Sequence, residues 1–212
     1  MKDNRKGGRC IILCAGETVP RALERAQIGP GDLIIAADGG YLHAQRFGLT
    51  PDLIVGDFDS SPPPPGEGEV ETFPVEKDDT DCMLAAREGV SRGCREFVIL
   101  GGTGGRLDHT LANIQTLAWL WEQGARGVLL DREHDIRVLG EGRWEFPPHD
   151  GYLSVFALGD RAVVSEEGMH YPLDHHPLTC TFPLGVSNQI TGDKGVLTVH
   201  SGLAVCIVYY KI

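Results

Sequence analysis

Two aspartates one residue apart, Asp57 and Asp59, end a short apolar run in the segment 51–60, PDLIVGDFDS. In an extended chain, residues i and i+2 point to the same side, so these carboxylates are expected to lie close together. Carboxylates held this close repel each other unless a cation lies between them or one is protonated. Hard oxygen ligands suit Mg²⁺, which makes a metal site one interpretation. The other is a polar turn after a strand, where Asp and Ser are common.

A second acidic group lies in the segment 77–81, KDDTD, directly before a predicted helix. Thr or Asp is a good N-cap, and acidic residues are ordinary in a first helical turn. That explains one or two of the carboxylates. Three of them beside Lys77, in a chain that also carries Asp57 and Asp59, favour a divalent ion with phosphate nearby.

The segment 101–109, GGTGGRLDH, runs from a predicted strand into a long predicted helix. Its four glycines leave backbone N–H groups free to surround phosphate oxygens, and the helix N-terminus adds a favourable dipole. Arg106 supplies a planar donor fork for phosphate. Asp108 either caps the helix or holds a substrate group, and His109 and Asn113 share a helical face. The segment is not a Walker A loop, because no Gly-Lys-Ser/Thr follows.

The segment 37–40, ADGG, closes the second predicted strand. Its glycines permit a tight turn and a close approach of the backbone to a ligand, and Asp38 can accept a hydrogen bond. A plain strand-to-helix turn is the alternative interpretation.

Alternating strand and helix patterns in the first part of the chain predict what positions these segments. Short apolar runs are followed by amphipathic stretches, which is typical of a parallel α/β sheet with right-handed crossovers. The predicted strands are 9–14, 33–37, 53–55, 97–100 and 128–130, and the predicted helices are 19–26, 40–47, 80–91 and 108–123. Ligands bind such sheets at the carboxyl ends of the strands, where the polar segments fall.

The pattern changes near residue 131, after which short β-rich segments alternate with glycine turns and no helical period remains. We therefore predict an α/β chain with an N-terminal Rossmann-like domain over 1–132 and a small antiparallel β-sandwich over 133–212. The strands predicted in the second domain are 136–139, 144–146, 152–157, 162–165, 179–182, 196–200 and 203–210.

Composition excludes several classes of function. The chain has 212 residues, a formal net charge of −11 and a pI near 5.1, which disfavours a nucleic-acid-binding surface. No apolar run approaches the roughly 20 residues needed to span a bilayer, so no membrane association is expected. The six cysteines form no CxxC pair, which favours a reduced, cytoplasmic protein.

Together, the four motifs closely resemble those of the thiamine pyrophosphokinase family. The resemblance covers ADGG at 37–40, PDLIVGDFDS at 51–60, KDDTD at 77–81 and GGTGGRLDHTLANI at 101–114, and resumes with GMHYPL at 168–173 and GVSN at 185–188. Two departures affect the substrate pocket. Gln189 stands where the family usually has Glu, and no Trp follows Trp144, although some members use a late aromatic residue against the thiamine ring.

The resemblance implies Mg²⁺-dependent transfer of pyrophosphate from ATP to the hydroxyl of thiamine, which gives thiamine diphosphate and AMP. It implies that 1–132 is the nucleotide- and Mg²⁺-binding catalytic domain and that 133–212 binds thiamine and mediates dimerisation. Members of the family form homodimers in which thiamine lies between the α/β domain of one subunit and the β-domain of the other.

The resemblance also implies roles for individual residues. Mg²⁺ would be held by Asp57, Asp59, Asp78 and Asp81, and catalysis would depend on Asp57, Asp59, Asp81 and Arg106. ATP would contact Asp38, Gly39, Gly102, Thr103, Gly104, Gly105, Arg106, His109 and Asn113. Thiamine would contact Asp108, Ser187 and Asn188.

Two rival functions share part of this pattern. A pyrophosphokinase for another hydroxymethyl heterocycle, such as a pterin, would keep every phosphate-handling motif, but the Ser187-Asn188 pair favours thiamine. A non-catalytic nucleotide or thiamine sensor could lose carboxylates, yet all of them are present. His175 and His176 suggest a metal site, but adjacent histidines in a proline-flanked loop are more often simply solvated.

Overall fold

The computed structural model describes residues 8–56, 69–72 and 79–211 of the chain. Three predicted metal ligands, Asp57, Asp59 and Asp78, lie outside the described residues. The chain divides into two compact units, Met1–Arg132 and Glu133–Ile212, which are called unit 1 and unit 2 below.

Unit 1 is a parallel sheet with helices between its strands. The strands are β1 (Arg9–Leu13), β2 (Leu33–Ala37), β3 (Leu53–Gly56), β4 (Glu69–Thr72), β5 (Glu96–Leu100) and β6 (Arg126–Leu130). The helices are α1 (Pro20–Ala26), α2 (Gly40–Phe47), α3 (Asp81–Ser91) and α4 (Leu107–Glu122). The spatial order is β6-β5-β1-β2-β3-β4, and every neighbouring pair in it is parallel. The predicted α/β fold with parallel strands is confirmed.

Apolar runs form the central strands because helices bury them. Every residue of β2 and β3 is buried, as is typical of parallel strands covered on both faces. On one face of the sheet, Ile11 and Leu100 pack with Ala22 and Ala26 of α1. Small residues on that helix let it lie close to the strands.

Strand β4 was not predicted from the sequence. It pairs in parallel with β3 at the edge of the sheet, and its Glu69 and Val70 side chains are exposed. A short, acidic, exposed segment carries no apolar pattern, and edge strands of this kind are formed by hydrogen bonding to their neighbour.

Unit 2 is entirely antiparallel. Its strands are β7 (His134–Leu139), β8 (Gly142–Phe146), β9 (Gly151–Glu167), β10 (Leu173–Thr179) and β11 (Gly195–Tyr210). They run in the order β10-β9-β11-β7, and β8 also pairs with β11. The predicted change from parallel to antiparallel strands is confirmed.

Two long strands replace four of the short strands predicted for unit 2. Strand β9 joins the predicted 152–157 and 162–165, and β11 joins 196–200 and 203–210. The register of β9 with β11 shifts on both sides of Ser201, where Gly202 has a φ of 78°. The glycine signals at these points therefore mark irregularities within continuous strands rather than turns between strands. Strand β10 spans 173–179 and overlaps the predicted strand 179–182 only at Thr179.

Within the described part of the chain, no helix is long and apolar enough to cross a membrane.

Candidate active site

A cavity of about 400 Å³ lies at the carboxyl ends of the unit 1 strands. The loops after β1, β2 and β5 contribute to its wall, together with the first turns of α3 and α4. This is the position at which open α/β sheets bind ligands. The cavity is lined by Cys14, Ala15, Gly16, Ala37, Asp38, Thr80, Asp81, Cys82, Gly101, Gly102, Thr103, Gly105, Arg106, His109, Thr110 and Asn113.

The turn after β2 brings Asp38 into the wall of this cavity. Asp38 adopts a left-handed backbone conformation with φ of 47°, and its N–H donates to the carbonyl of Val55 at 2.7 Å. The glycine after Gly39 is needed for packing, because a Cβ at Gly40 would lie 1.8 Å from the carbonyl oxygen of Leu13. Gly39 begins α2 as its N-cap but does not line the cavity in the described residues.

Three anchors fix the glycine-rich loop after β5. The carbonyl of Gly101 accepts the N–H of Gly16 at 2.9 Å, and that of Gly102 accepts Nδ2 of buried Asn113 at 2.9 Å. The hydroxyl of Thr103 donates to Oδ2 of Asp131 at 3.1 Å. Carbonyl oxygens repel anions, and these bonds turn the carbonyl groups of Gly101 and Gly102 toward donors within the protein.

The amide groups of the same loop remain available. Within the described residues, the N–H groups of Gly102, Thr103, Gly104 and Gly105 have no acceptor in the protein. Gly104 has a φ of 78°, which a side chain would disfavour. Free amides beside the N-terminus of a helix are suited to bind an anion, and the phosphate site predicted for this loop stays a prediction. Gly104 itself does not line the cavity as described.

Arg106 and Asp108 lie together at the start of α4. The Nε and Nη2 atoms of Arg106 donate to Oδ1 and Oδ2 of Asp108 at 3.1 and 2.6 Å, and Oδ1 also accepts the N–H of His109. Both side chains are exposed. The hydrogen bond from Arg106 lowers the pKa of Asp108, and the same bond raises the pKa of Arg106. The pair is therefore fully charged at neutral pH.

Asp79 and Asp81, on either side of the N-cap residue of α3, have different surroundings. Thr80 is the N-cap, and its Oγ1 accepts the N–H of Met83 at 3.3 Å. Asp81 follows and lines the cavity, whereas Asp79 forms an ion pair with Arg87 at 2.9 Å. Among the described residues, no cluster of three or more His, Cys, Asp or Glu side chains is arranged to hold a metal ion.

Two buried cysteines, Cys14 and Cys82, complete the wall. The hydrogen bond to Cys82 and the burial of the thiol hold the pKa of Cys14 well above its ordinary value. Because a protonated thiol is a poor nucleophile, Cys14 acts here as a small apolar residue. All six cysteines of the chain are free.

In unit 2, the Asn188 side chain uses all four of its hydrogen-bonding positions within the protein. Its Oδ1 accepts the N–H groups of Tyr171 and Gln189, both at 3.0 Å. Its Nδ2 donates to the Tyr171 carbonyl at 2.8 Å and to Oε2 of Glu166. A ligand that bonded directly to this amide would have to displace one of these partners.

The residues next to Asn188 face solvent. Ser187 is exposed, has a φ of 60°, and donates its N–H to Oγ of Ser154 at 3.0 Å. Tyr171 is 64% exposed although both of its backbone polar groups are bound by Asn188. Sequence reasoning did not select Tyr171 as a site residue. The sequence signal that could have pointed to Tyr171 is its place in the GMHYPL motif at 168–173.

A second cavity of about 610 Å³ lies in unit 2, and most of the residues that line it are polar in type. Its wall includes His175 and His200, whose rings stack at 3.8 Å between centroids. Nε2 of His200 lies 2.8 Å from the hydroxyl of Ser165, and Nδ1 of His175 lies 2.7 Å from Asp174. His175 is thus exposed to solvent, as expected, but it also contacts Asp174 and His200.

Unit 1 is therefore an α/β unit with a cavity at the carboxyl edge of its parallel sheet, lined in part by a glycine-rich loop with free amides. Two family models narrow this class: "Thiamin pyrophosphokinase, catalytic domain" matches residues 28–129, and "Thiamin pyrophosphokinase, vitamin B1 binding domain" matches residues 133–204. The chain belongs to the thiamine pyrophosphokinase family, whose enzymes form thiamine diphosphate by pyrophosphate transfer.

Individual relatives agree with this assignment. A thiamine pyrophosphokinase of Bacillus subtilis is 27% identical over 184 residues, which is 82% of this chain and 86% of the relative. A crystal structure of the enzyme from Bacillus subtilis has a TM-score of 0.86 at 24% identity, and the match covers 96% of this chain and all 100% of that one. A thiamin pyrophosphokinase family protein from Enterococcus faecalis has a TM-score of 0.81 at 26% identity, covering 97% and 100%.

Proposed function

We propose that this chain catalyses Mg²⁺-dependent transfer of a pyrophosphate group from ATP to the hydroxyl of thiamine, giving thiamine diphosphate and AMP. The observation that carries the proposal is the row of unpaired amides from Gly102 to Gly105 beside the N-terminus of α4. In an acidic protein with a net charge of −11, a triphosphate requires such local donors.

Pyrophosphate transfer depends mainly on the positioning of the two substrates and on stabilisation of the negative charge that develops on the phosphates. The thiamine hydroxyl attacks the β-phosphorus of ATP, and negative charge develops on the oxygen that bridges the α- and β-phosphates as AMP leaves. The four loop amides and the guanidinium of Arg106 are the groups of this chain that we assign to the phosphate oxygens. Donors fixed before the reaction stabilise developing charge without having to reorganise.

We assign supporting contacts to the rest of the nucleotide to Asp38, Gly39, His109 and Asn113. Asp38, His109 and Asn113 line the cavity. Asn113 also holds the carbonyl of Gly102, so its effect on the nucleotide includes the shape of the loop.

We assign Mg²⁺ to Asp57, Asp59, Asp78 and Asp81. Carboxylate oxygens suit this ion, and Asp81 lies in the cavity wall, so the described donor chemistry fits. When bound, Mg²⁺ would neutralise charge on the phosphates. Asp79 is left out of the set because Arg87 is its ion-pair partner.

We assign the thiamine site to Ser187, Asn188 and Tyr171 in unit 2 of one subunit, with Asp108 contributed by unit 1 of a second subunit. Thiamine carries a positive thiazolium ring, which the face of an aromatic side chain attracts. The exposed ring of Tyr171 supplies such a face where the chain lacks a late Trp. Asn188 would act by fixing the backbone on which Tyr171 is carried.

We further propose that the enzyme is a cytoplasmic homodimer with a composite site. Large apolar side chains are exposed in both units, among them Leu107 at 81% and Phe182 at 65%. We assign these side chains as candidate contacts of a second copy, because the family resemblance implies a homodimer. Light scattering after size exclusion should give twice the mass of 23.0 kDa, and a monomer that turns over at the full rate would overturn the composite site.

The test of the proposed function is incubation with Mg-ATP and thiamine, followed by mass analysis of the products. We expect thiamine diphosphate and AMP in equal amounts, and no product when Mg²⁺ is chelated. Thiamine monophosphate with ADP would overturn the pyrophosphate transfer. A hydroxymethyl pterin offered as the acceptor should give no product, and its preferential use would reassign the substrate.

A further inference from the structure

Glu166 on β9 is a buried carboxyl group with little to stabilise its charge. It is 1% exposed, and its Oε2 accepts Nδ2 of Asn188. Its Oε1 is buried with no hydrogen-bond partner among the described residues. Burying a carboxyl group without a cation is unfavourable, so an apolar residue would serve better here if packing were the only role.

We infer that Glu166 is a positioning residue of the thiamine site, which holds the amide of Asn188 and through it Tyr171 and the segment that carries Ser187. The inference rests on the proposed thiamine site in unit 2. Glu166 is 22 residues from Asn188 in sequence, and Asn188 is 17 residues from Tyr171, so the contacts join the segment that carries Glu166 and Tyr171 to the distant segment that carries Asn188.

The orientation of the Asn188 amide explains why an acceptor is needed at position 166. Oδ1 must face the N–H groups of Tyr171 and Gln189, while Nδ2 must face the Tyr171 carbonyl. The second N–H of Nδ2 then points to Glu166, and a residue without an acceptor there would leave it unsatisfied. Rotation of the amide to relieve this would break its bonds to Tyr171.

The buried environment of Glu166 is compatible with this role. Burial raises the pKa of Glu166, against a smaller opposite effect of the bond from Asn188. A carboxyl group can accept a hydrogen bond in either protonation state, so Glu166 can hold Nδ2 of Asn188 with or without its proton.

The experiment compares Glu166→Met, which removes the acceptor, with Glu166→Gln, which retains one at similar size. We expect E166M to raise the KM for thiamine about tenfold, with kcat and the KM for ATP within about twofold of wild type. E166Q should restore the KM for thiamine to within about twofold of wild type. Equal increases in both KM values would indicate general structural damage and overturn the inference.

Hydrogen exchange gives a readout that does not depend on activity. The amides of Tyr171 and Gln189 both donate to Asn188, so they should exchange faster in E166M than in wild type or E166Q. The amide of Tyr210, which donates to Glu133 in the same unit, is the control. Unchanged exchange and an unchanged KM for thiamine in folded E166M would overturn the inference.

A second variant covers the case in which E166M does not fold. Asn188→Asp keeps an oxygen in place of Oδ1 but removes both donors to Glu166 and Tyr171, so it should accelerate the same amides. If wild type forms no thiamine diphosphate, the proposed function fails, whereas the exchange data still decide whether Glu166 positions Tyr171.

Discussion

The guanidinium of Arg106 and the carboxylate of Asp108 form two parallel hydrogen bonds, of 3.1 and 2.6 Å. A phosphate group that takes the fork of Arg106 therefore competes with Asp108 for the same N–H groups. Because the bonds join residues two apart at the start of one helix, the exchange needs only side-chain rotation.

Replacement of Arg106 tests its assignment to phosphate. Arg106→Ala should lower kcat/KM for ATP by roughly 100- to 1000-fold, the range seen when one donor to developing charge is lost. Arg106→Lys should recover only part of this, because an ammonium group lacks the two-pronged geometry. Steady-state kinetics at saturating thiamine measure the effect. Wild-type kinetics in R106A would place the side chain outside the site.

Asp81 and Asp79 form a matched pair for the metal assignment. Asp81→Asn should nearly abolish Mg²⁺-dependent turnover, because it removes a charged oxygen in the cavity wall from the set of carboxylates that we assign to Mg²⁺. Asp79→Asn removes only the partner of Arg87, and such a partly exposed pair contributes little. Turnover titrated with Mg²⁺ distinguishes the two variants, and similar losses in both would contradict the assignment. Asp57→Ala is expected to match D81N.

Two glycines that line the cavity, Gly105 and Gly16, allow effects on ATP binding to be distinguished from effects on stability. A Cβ at Gly105 meets nothing within 4 Å, whereas one at Gly16 would lie 2.4 Å from the carbonyl of Gly101. Gly105→Ala should therefore leave stability within about 0.5 kcal/mol of wild type but raise the KM for ATP, since the methyl group would occupy space needed by phosphate. Gly16→Ala should lower the free energy of unfolding by about 1–3 kcal/mol. Urea unfolding measures the stability of both variants, and steady-state kinetics measure their KM for ATP. An unchanged KM for ATP in G105A would show that Gly105 does not contact phosphate.

The pH dependence of stability follows from Glu166. Folding raises its pKa above the ordinary value of 4.5, so the folded protein binds a proton that the unfolded chain has released. Its contribution is fully present below pH 4.5 and is lost as pH rises through the folded pKa. Glu166→Gln cannot ionise, so its free energy of unfolding relative to wild type should increase as pH rises above 4.5. Each tenfold difference in proton affinity corresponds to about 1.4 kcal/mol. Parallel urea titrations measure this difference, and a value that does not change with pH would show that Glu166 ionises equally in both states.

Local patterns in the sequence were sufficient to predict the outline of unit 1. Apolar runs and helical periods fixed its central strands and its four helices, because each pattern reports on neighbours within a few residues. Those elements in turn placed Asp38, Asp81 and the glycine-rich loop at one edge of the sheet. The edge strand β4 and the continuity of β9 and β11 were missed, because strand pairing depends on distant partners.

What the sequence alone determined is which groups are available: a glycine-rich loop, its arginine, and carboxylates that follow strands. Tertiary structure decided how they are used. The hydroxyl of Thr103 donates a hydrogen bond to Asp131, 28 residues away, and the amide of Asn188 donates one to Glu166, 22 residues away. No local pattern encodes such contacts, because a hydrogen bond depends on position and direction in space, which only the packed strands and helices supply.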